Sequence, residues 1–140
     1  MSEKRNTLYL KVITPERVLY EGEVSKYIVK VKGQVGEFSV WPNKSPITSS
    51  LGLGKIVIYL PDGKTKEATL FGGYALVDKF ESVILTDVAE WPEEIDFERA
   101  ERAKERAEAR IADANFDYAR ASLALGKAIA RMSFREQDKF

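Results

Sequence analysis

Apolar and polar positions alternate along the first two thirds of the chain and switch to a helical repeat after Trp91-Pro92. Leu8, Leu10 and Val12 are interleaved with Tyr9, Lys11 and Ile13, and Thr14-Pro15-Glu16 then reads as a turn. Tyr27, Val29 and Val31 alternate with Lys26, Ile28, Lys30 and Lys32, the period of two expected of a half-buried strand. Ile56, Ile58 and Leu60 repeat it before Pro61-Asp62-Gly63-Lys64, a strong turn signal. The same alternation runs through Ala68 and Leu70, Tyr74 and Leu76, and Val83 and Leu85. Short strands with Gly and Pro punctuation, uninterrupted by a helix-length segment, predict a β-sandwich or barrel.

Beyond Pro92 the composition changes. Seven of the nine arginines fall here, amid alanine at helical spacing, and Gly126 is the sole glycine. Pro92 suits a helix start, and Glu93, Glu94, Asp96 and Glu98 suit its electropositive end. Asp113 to Asp117 marks the break, with Asn115 or Asp117 able to cap a second helix. The expected helices span about 96–112 and 117–132. The fold class is therefore α+β: a sandwich over residues 1–90, followed by an antiparallel two-helix hairpin over 91–140.

A helical wheel places Ala100, Ala103, Ala107, Ile111 and Ala114 in one sector, with Arg99, Arg102, Arg106 and Arg110 beside it. On the second helix Ala121, Ala124, Leu125, Ala128 and Met132 form the seam, flanked by Arg120, Lys127 and Arg131. Facing the two seams brings both basic flanks to one side, with Arg99 nearly level with Arg131. An alanine seam contributes far less burial than leucine or isoleucine would, so the hairpin is expected to be only marginally stable.

Charge is balanced, with 22 basic and 22 acidic residues, which removes the footprint of a general nucleic-acid binder. Cysteine and histidine are both absent, excluding disulfides, thiolate metal sites and the usual general base. The carboxylates at 93, 94 and 96 are explained by the helix start, so no catalytic pair is expected. Gly52-Leu53-Gly54-Lys55 has the letters of a phosphate loop, but a strand follows it, and it reads as a turn. Without a long apolar run or signal core, the chain is expected to be cytoplasmic, with no membrane insertion of its own.

Three segments in order carry a family resemblance. Gly36-Glu37-Phe38-Ser39-Val40-Trp41-Pro42 with Ser45-Pro46, then Gly72-Gly73-Tyr74-Ala75-Leu76-Val77, then Ile95-Asp96-Phe97-Glu98-Arg99-Ala100 resemble segments of the ε subunits of bacterial F-type ATP synthases. The likeness spans Leu8 to Met132. It implies a non-catalytic rotor subunit of the central stalk, whose partners are γ, the c-subunit ring and the α/β catalytic head. It also implies a hairpin that alternates between folded and extended forms and inhibits ATP hydrolysis when extended. Such a subunit is peripheral to the inner membrane through its complex. By the same resemblance Glu37, Trp41 and Lys44 would contact the c ring. Lys127, Arg131 and Arg135 would meet acidic surface in the inhibited state. Glu90, Asp96, Arg99, Ala100, Lys127 and Arg131 would surround ATP, a regulatory ligand and not a required cofactor. Ser39 replaces the family glycine, the 42–46 segment lacks the usual Gly-His, and Lys127 stands where the clearest ATP binders carry arginine. Lysine offers a point charge without the two-pronged guanidinium grip. A free-standing nucleotide-sensing module is the competing expectation.

Overall fold

A computed structural model of the protein describes residues 6–31, 37–113, 115 and 117–135. Gly36 and Ala114, named above in a motif and a seam, and Phe116 within the hairpin break lie outside the described residues. Seven strands come first: β1 (Leu8–Ile13), β2 (Val18–Val24), β3 (Lys26–Val31), β4 (Phe38–Val40), β5 (Ile47–Tyr59), β6 (Thr65–Val77) and β7 (Glu81–Leu85). A single 3-10 turn at Pro92–Glu94 leads into α1 (Phe97–Ile111) and α2 (Tyr118–Met132).

The strands hydrogen-bond in the order β2-β1-β7-β6-β5-β3-β4. All neighbours are antiparallel except β1 and β7, which run parallel. Residues from both ends of this order share one core, among them Leu8, Leu10 and Val12 of β1, Tyr27 and Val29 of β3, Ile58 of β5 and Ile84 of β7. The two ends of the sheet therefore pack face to face as a sandwich. The long strands β5 and β6 pass from one layer to the other.

That passage explains where the expected pattern departs from the observed one. In β6, Ala68 and Leu70 point into the core, but farther along the inward residues are Ala75 and Val77, while Tyr74 and Leu76 are exposed. The switch falls at Gly72 and Gly73, whose φ angles of 80° and 111° lie in a region that L side chains rarely adopt. A side chain at Gly73 would also stand 1.9 Å from the Leu85 carbonyl oxygen. On β7 the buried positions are Ser82 and Ile84, and Leu85 faces outward. The 52–55 segment is no turn: it lies inside β5, and a Cβ on Gly54 would reach within 1.8 Å of the Lys30 carbonyl oxygen. Its two glycines permit close strand packing, which a loop reading overlooks.

The helices match their expected limits within a residue or two. Asp96 caps α1 by accepting from the Arg99 amide, and Asp117 caps α2 by accepting from Ala119 and Arg120. Glu101 of α1 meets Arg135 just beyond α2, whereas Arg110 shares a groove with Asp117. Partners on α2 thus fall in number as those on α1 rise, so the pair is antiparallel. Ala100, Ala107, Ala121 and Ala128 are buried. Ala130 and Ser133, outside the expected seam, are buried as well. On β5 and β6, burial is continuous over residues 54–58 and 68–71. One strand face looks into the sandwich; the other packs against α2. Gly126 lets α2 come close to the sheet: a Cβ there would stand 2.9 Å from Leu53 Cδ1.

Candidate functional site

The hairpin meets the sandwich at a small polar junction built by three pieces of chain. Residues 88–90 run beside β6: Thr69 N–H donates to the Glu90 carbonyl at 2.9 Å, and Glu90 N–H donates to Thr69 Oγ1 at 2.9 Å. Phe71 N–H donates to the Val88 carbonyl at 3.0 Å. Glu90 is thereby fixed on the outer face of the sheet. From α2, Arg131 Nε donates to Glu90 Oε1 at 2.8 Å and Nη2 donates to Oε2 at 3.3 Å. The guanidinium also lies 5.0 Å from the centre of the Phe71 ring, and Lys127 Nζ lies 6.0 Å from the same ring. The Arg131 and Glu90 side chains are each about a quarter exposed (29% and 26%). The pair is half screened, so it holds the hairpin without being sealed in.

Of the residues named for nucleotide contact, Glu90, Lys127 and Arg131 are brought together around Phe71. Asp96 and Arg99 sit in the first turn of α1, where the Asp96 carboxylate receives the Arg99 amide at 3.1 Å. Ala100 is buried, and the Arg99 side chain is exposed, with no ion pair among the described residues. Arg135 Nη1 meets Glu101 Oε2 at 3.0 Å and so bridges the two helices. Of the three residues expected to make inhibitory contacts, Lys127 and Arg131 face Phe71 and Glu90 at the sandwich, and Arg135 is paired with α1.

A second contact lies just beyond α2. Lys55, almost buried on β5, pairs with Glu67 at 2.9 Å and stands 5.3 Å from the Phe134 ring. Below it, Arg17 of the β1–β2 turn grips Glu94 with two bonds of 2.7 Å and donates to the Ala89 carbonyl at 3.2 Å. Those bonds, and one from the Trp91 amide, hold the Glu94 carboxyl below its ordinary range. This fastens the connecting segment to the sandwich independently of α2.

The residues expected at the c ring occupy the edge beyond β4. Trp41 is 53% exposed, yet its ring is steadied by Lys26 Nζ at 4.2 Å, which also lies 4.6 Å from the Tyr59 ring. Lys44 Nζ donates to the Ser39 carbonyl at 2.8 Å, and Glu37 lies 3.8 Å from Lys30. Asn43 adopts a positive φ of 70° and donates its N–H to the Lys79 carbonyl, tying this loop to the β6–β7 turn.

The sequence reading missed Phe71, Thr69 and Lys55. Phe71 sits in an apolar run, where nothing local tells an outward aromatic from a core one. The Thr69 and Lys55 contacts arise only when the 88–90 segment and α2 cover the sheet.

The comparisons with known proteins agree with this architecture. Residues 7–92 match the family described as ATP synthase, Delta/Epsilon chain, beta-sandwich domain, and residues 93–134 match its long alpha-helix domain. A chain of Acetobacterium woodii named ATP synthase epsilon chain, sodium ion specific, is 43% identical over 111 residues, 79% of this chain and 82% of its own. The ATP synthase epsilon chain of Caldicellulosiruptor bescii is 39% identical over 132 residues, 93% of this chain and 94% of its own. In backbone, a chain of the Euglena gracilis mitochondrial ATP synthase superposes with a TM-score of 0.79 at 21% identity, covering 92% of this chain and 81% of that one. A chain from the Tetrahymena thermophila mitochondrial ATP synthase central stalk and c ring gives 0.59 at 14% identity, covering 99% and 100%. A sandwich and a hairpin that match the two family domains end to end, with relatives of this identity along nearly the whole chain, show that the protein belongs to the ε-chain family of ATP synthases.

Proposed function

We propose that this chain is a non-catalytic rotor subunit of the central stalk of an F-type ATP synthase, and that its hairpin restrains ATP hydrolysis by leaving the sandwich. The sandwich seats on γ and the c ring at the cytoplasmic face of the membrane. The outer face around Tyr74, Leu76 and Leu85, apolar and exposed, suits the first of these contacts. The exposed Trp41 edge, with Glu37 and Lys44, suits the second.

One observation carries the reading. An alanine-seamed hairpin is held to a leucine- and isoleucine-rich sandwich through the partly exposed Glu90–Arg131 pair and a few contacts around Leu53 and Phe134. A difference of a few kcal/mol between docked and released states is within reach of a competing acidic surface. On release, Arg131 loses Glu90 and Lys127 leaves the Phe71 ring, so both become available to carboxylates of the catalytic head, and Arg135, paired with Glu101 across the hairpin, joins them when the two helices separate. The test is deletion of the residues after Glu90 in the assembled enzyme. ATP hydrolysis should rise, and an unchanged rate would overturn the inhibitory role.

A nucleotide-sensing role for the folded hairpin is favoured by the meeting of Lys127 and Arg131 over Phe71. ATP would share Arg131 with Glu90 and stabilise the docked form by mass action. Titration calorimetry of the chain should show ATP binding that is lost in Arg99→Ala and strengthened in Lys127→Arg. Absence of heat at millimolar ATP would reject it.

A further inference from the structure

The segment that joins the sandwich to the hairpin is fastened along its length, from Val88 to Glu94. The Val88 carbonyl accepts from the Phe71 amide, and Glu90 exchanges bonds with Thr69. Ala89 belongs to the sandwich core, and Trp91 packs against that core with Lys66 Nζ 5.1 Å from its ring centre. Arg17 closes the run. Its guanidinium takes Glu94 in two bonds of 2.7 Å and reaches the Ala89 carbonyl at 3.2 Å, so one side chain ties both ends of the segment to the β1–β2 turn. The turn itself is braced: the buried Thr14 hydroxyl accepts the Glu16 and Arg17 amides, and the Thr14 amide donates to the Arg17 carbonyl.

The fastening stops after Glu94. Ile95 and Asp96 make no hydrogen bond to the sandwich among the described residues; the Ile95 amide bonds back to Pro92, and Asp96 accepts the Arg99 and Ala100 amides of α1. Both have extended backbone, with φ and ψ of −85° and 126° at Ile95 and −86° and 97° at Asp96. They stand between a 3-10 turn and a helix whose own hydrogen bonds fix the flanking backbone, so rotation costs least at these two positions. Given that the hairpin leaves the sandwich, as proposed above, we infer that Arg17 is a positioning residue that keeps residues 88–94 on the sandwich and sets the pivot of the hairpin at Ile95 and Asp96. The clamp is partly exposed and adds little to overall stability; its effect is local, on where the chain bends. Glu90 then stays with the base as a fixed receptor, already oriented for Arg131 to return to. Asp96 leaves with α1, whose cap is intact throughout the swing.

The test has two arms. In the first, amide exchange is followed in the full chain carrying Arg131→Ala, which frees α2. Amides of α2 should accelerate about fivefold or more, and those of Thr69, Phe71, Glu90 and Trp91 by less than about twofold. Adding Arg17→Ala should then accelerate the Glu90 and Trp91 amides a few-fold while β1 is unchanged. Acceleration of these amides together with α2 when Arg17 is present would overturn the pivot, and equal protection with and without Arg17 would overturn its role. The second arm exploits the lack of cysteine in this chain. Arg17→Cys with Glu94→Cys, joined by a short bismaleimide before assembly into the enzyme, should inhibit ATP hydrolysis as well as the same variant left unlinked. Lys55→Cys with Phe134→Cys, which pins the end of α2 to β5, should relieve inhibition once linked. Relief by the first link as complete as by the second puts the bend before Glu94 and sinks the inference. No change from the second link removes the inhibitory role instead, and the exchange rates alone then decide the pivot.

Discussion

The sandwich and the hairpin are built from the same chain by opposite means. Large aliphatic side chains of the sandwich, such as Leu10, Ile56, Ile58, Leu70 and Ile84, are fully buried. In the hairpin the buried residues of both helices are alanines. Each alanine removes little apolar area from water, so the helices rely on caps, helix propensity and a few charged contacts. The difference teaches where movement can occur. A rigid base and a loosely held appendage allow one part to stay seated while the other changes partner.

The comparison breaks most sharply at the core. Leu70→Ala should lower the stability of the sandwich by about 2–5 kcal/mol, read from the denaturant midpoint. A loss below about 1 kcal/mol would mean that the sandwich is no better packed than the hairpin. The alkaline limb offers a second test. Burial pushes the Tyr27 phenol from 10.0 up to about 12, with the nearby Ser82 hydroxyl pulling slightly the other way. The unfolded chain releases this proton first as pH rises, so stability is intact below about pH 10 and declines as pH climbs towards about 12, by on the order of 2 kcal/mol. Tyr27→Phe should remove that slope. It should cost little at neutral pH, since the phenol oxygen has no hydrogen-bond partner among the described residues.

The hairpin should respond locally. Arg131→Ala leaves Glu90 unpaired and half-buried, costing about 1–3 kcal/mol of docking. Amide exchange in α2 should accelerate while that of β1 and β6 stays unchanged; uniform acceleration would show one cooperative unit instead of two. The smallest effect belongs to Glu94→Gln. Its pair with Arg17 is largely exposed and contributes less than about 1 kcal/mol. The folded Glu94 carboxyl lies below 4.5, so its contribution is present above that pH and is lost as the solution is acidified. Parent and variant melting curves should therefore converge in acid.

Much of the fold was legible because its signals are local. Asp96 and Asp117 sit one residue before the helices they cap. Leu8, Leu10 and Val12 alternate in the phase that the structure buries. The phase of Tyr74 and Leu76 was not legible, since it depends on two glycines turning a long strand between layers. At the candidate site, Glu90, Lys127 and Arg131 came from the family resemblance and are found side by side. Phe71 beneath them required the packed helices.

The sequence by itself determined the two modules, the helix limits and the turns at 14–16 and 61–64, all of which follow from interactions within a few residues along the chain. Only the tertiary structure decided which strand faces the helices cover and how β5 and β6 cross between layers. It also decided that Glu90 meets Arg131 from 41 positions away. Such contacts depend on the packing of whole elements, and no short stretch of sequence encodes the geometry that brings them together.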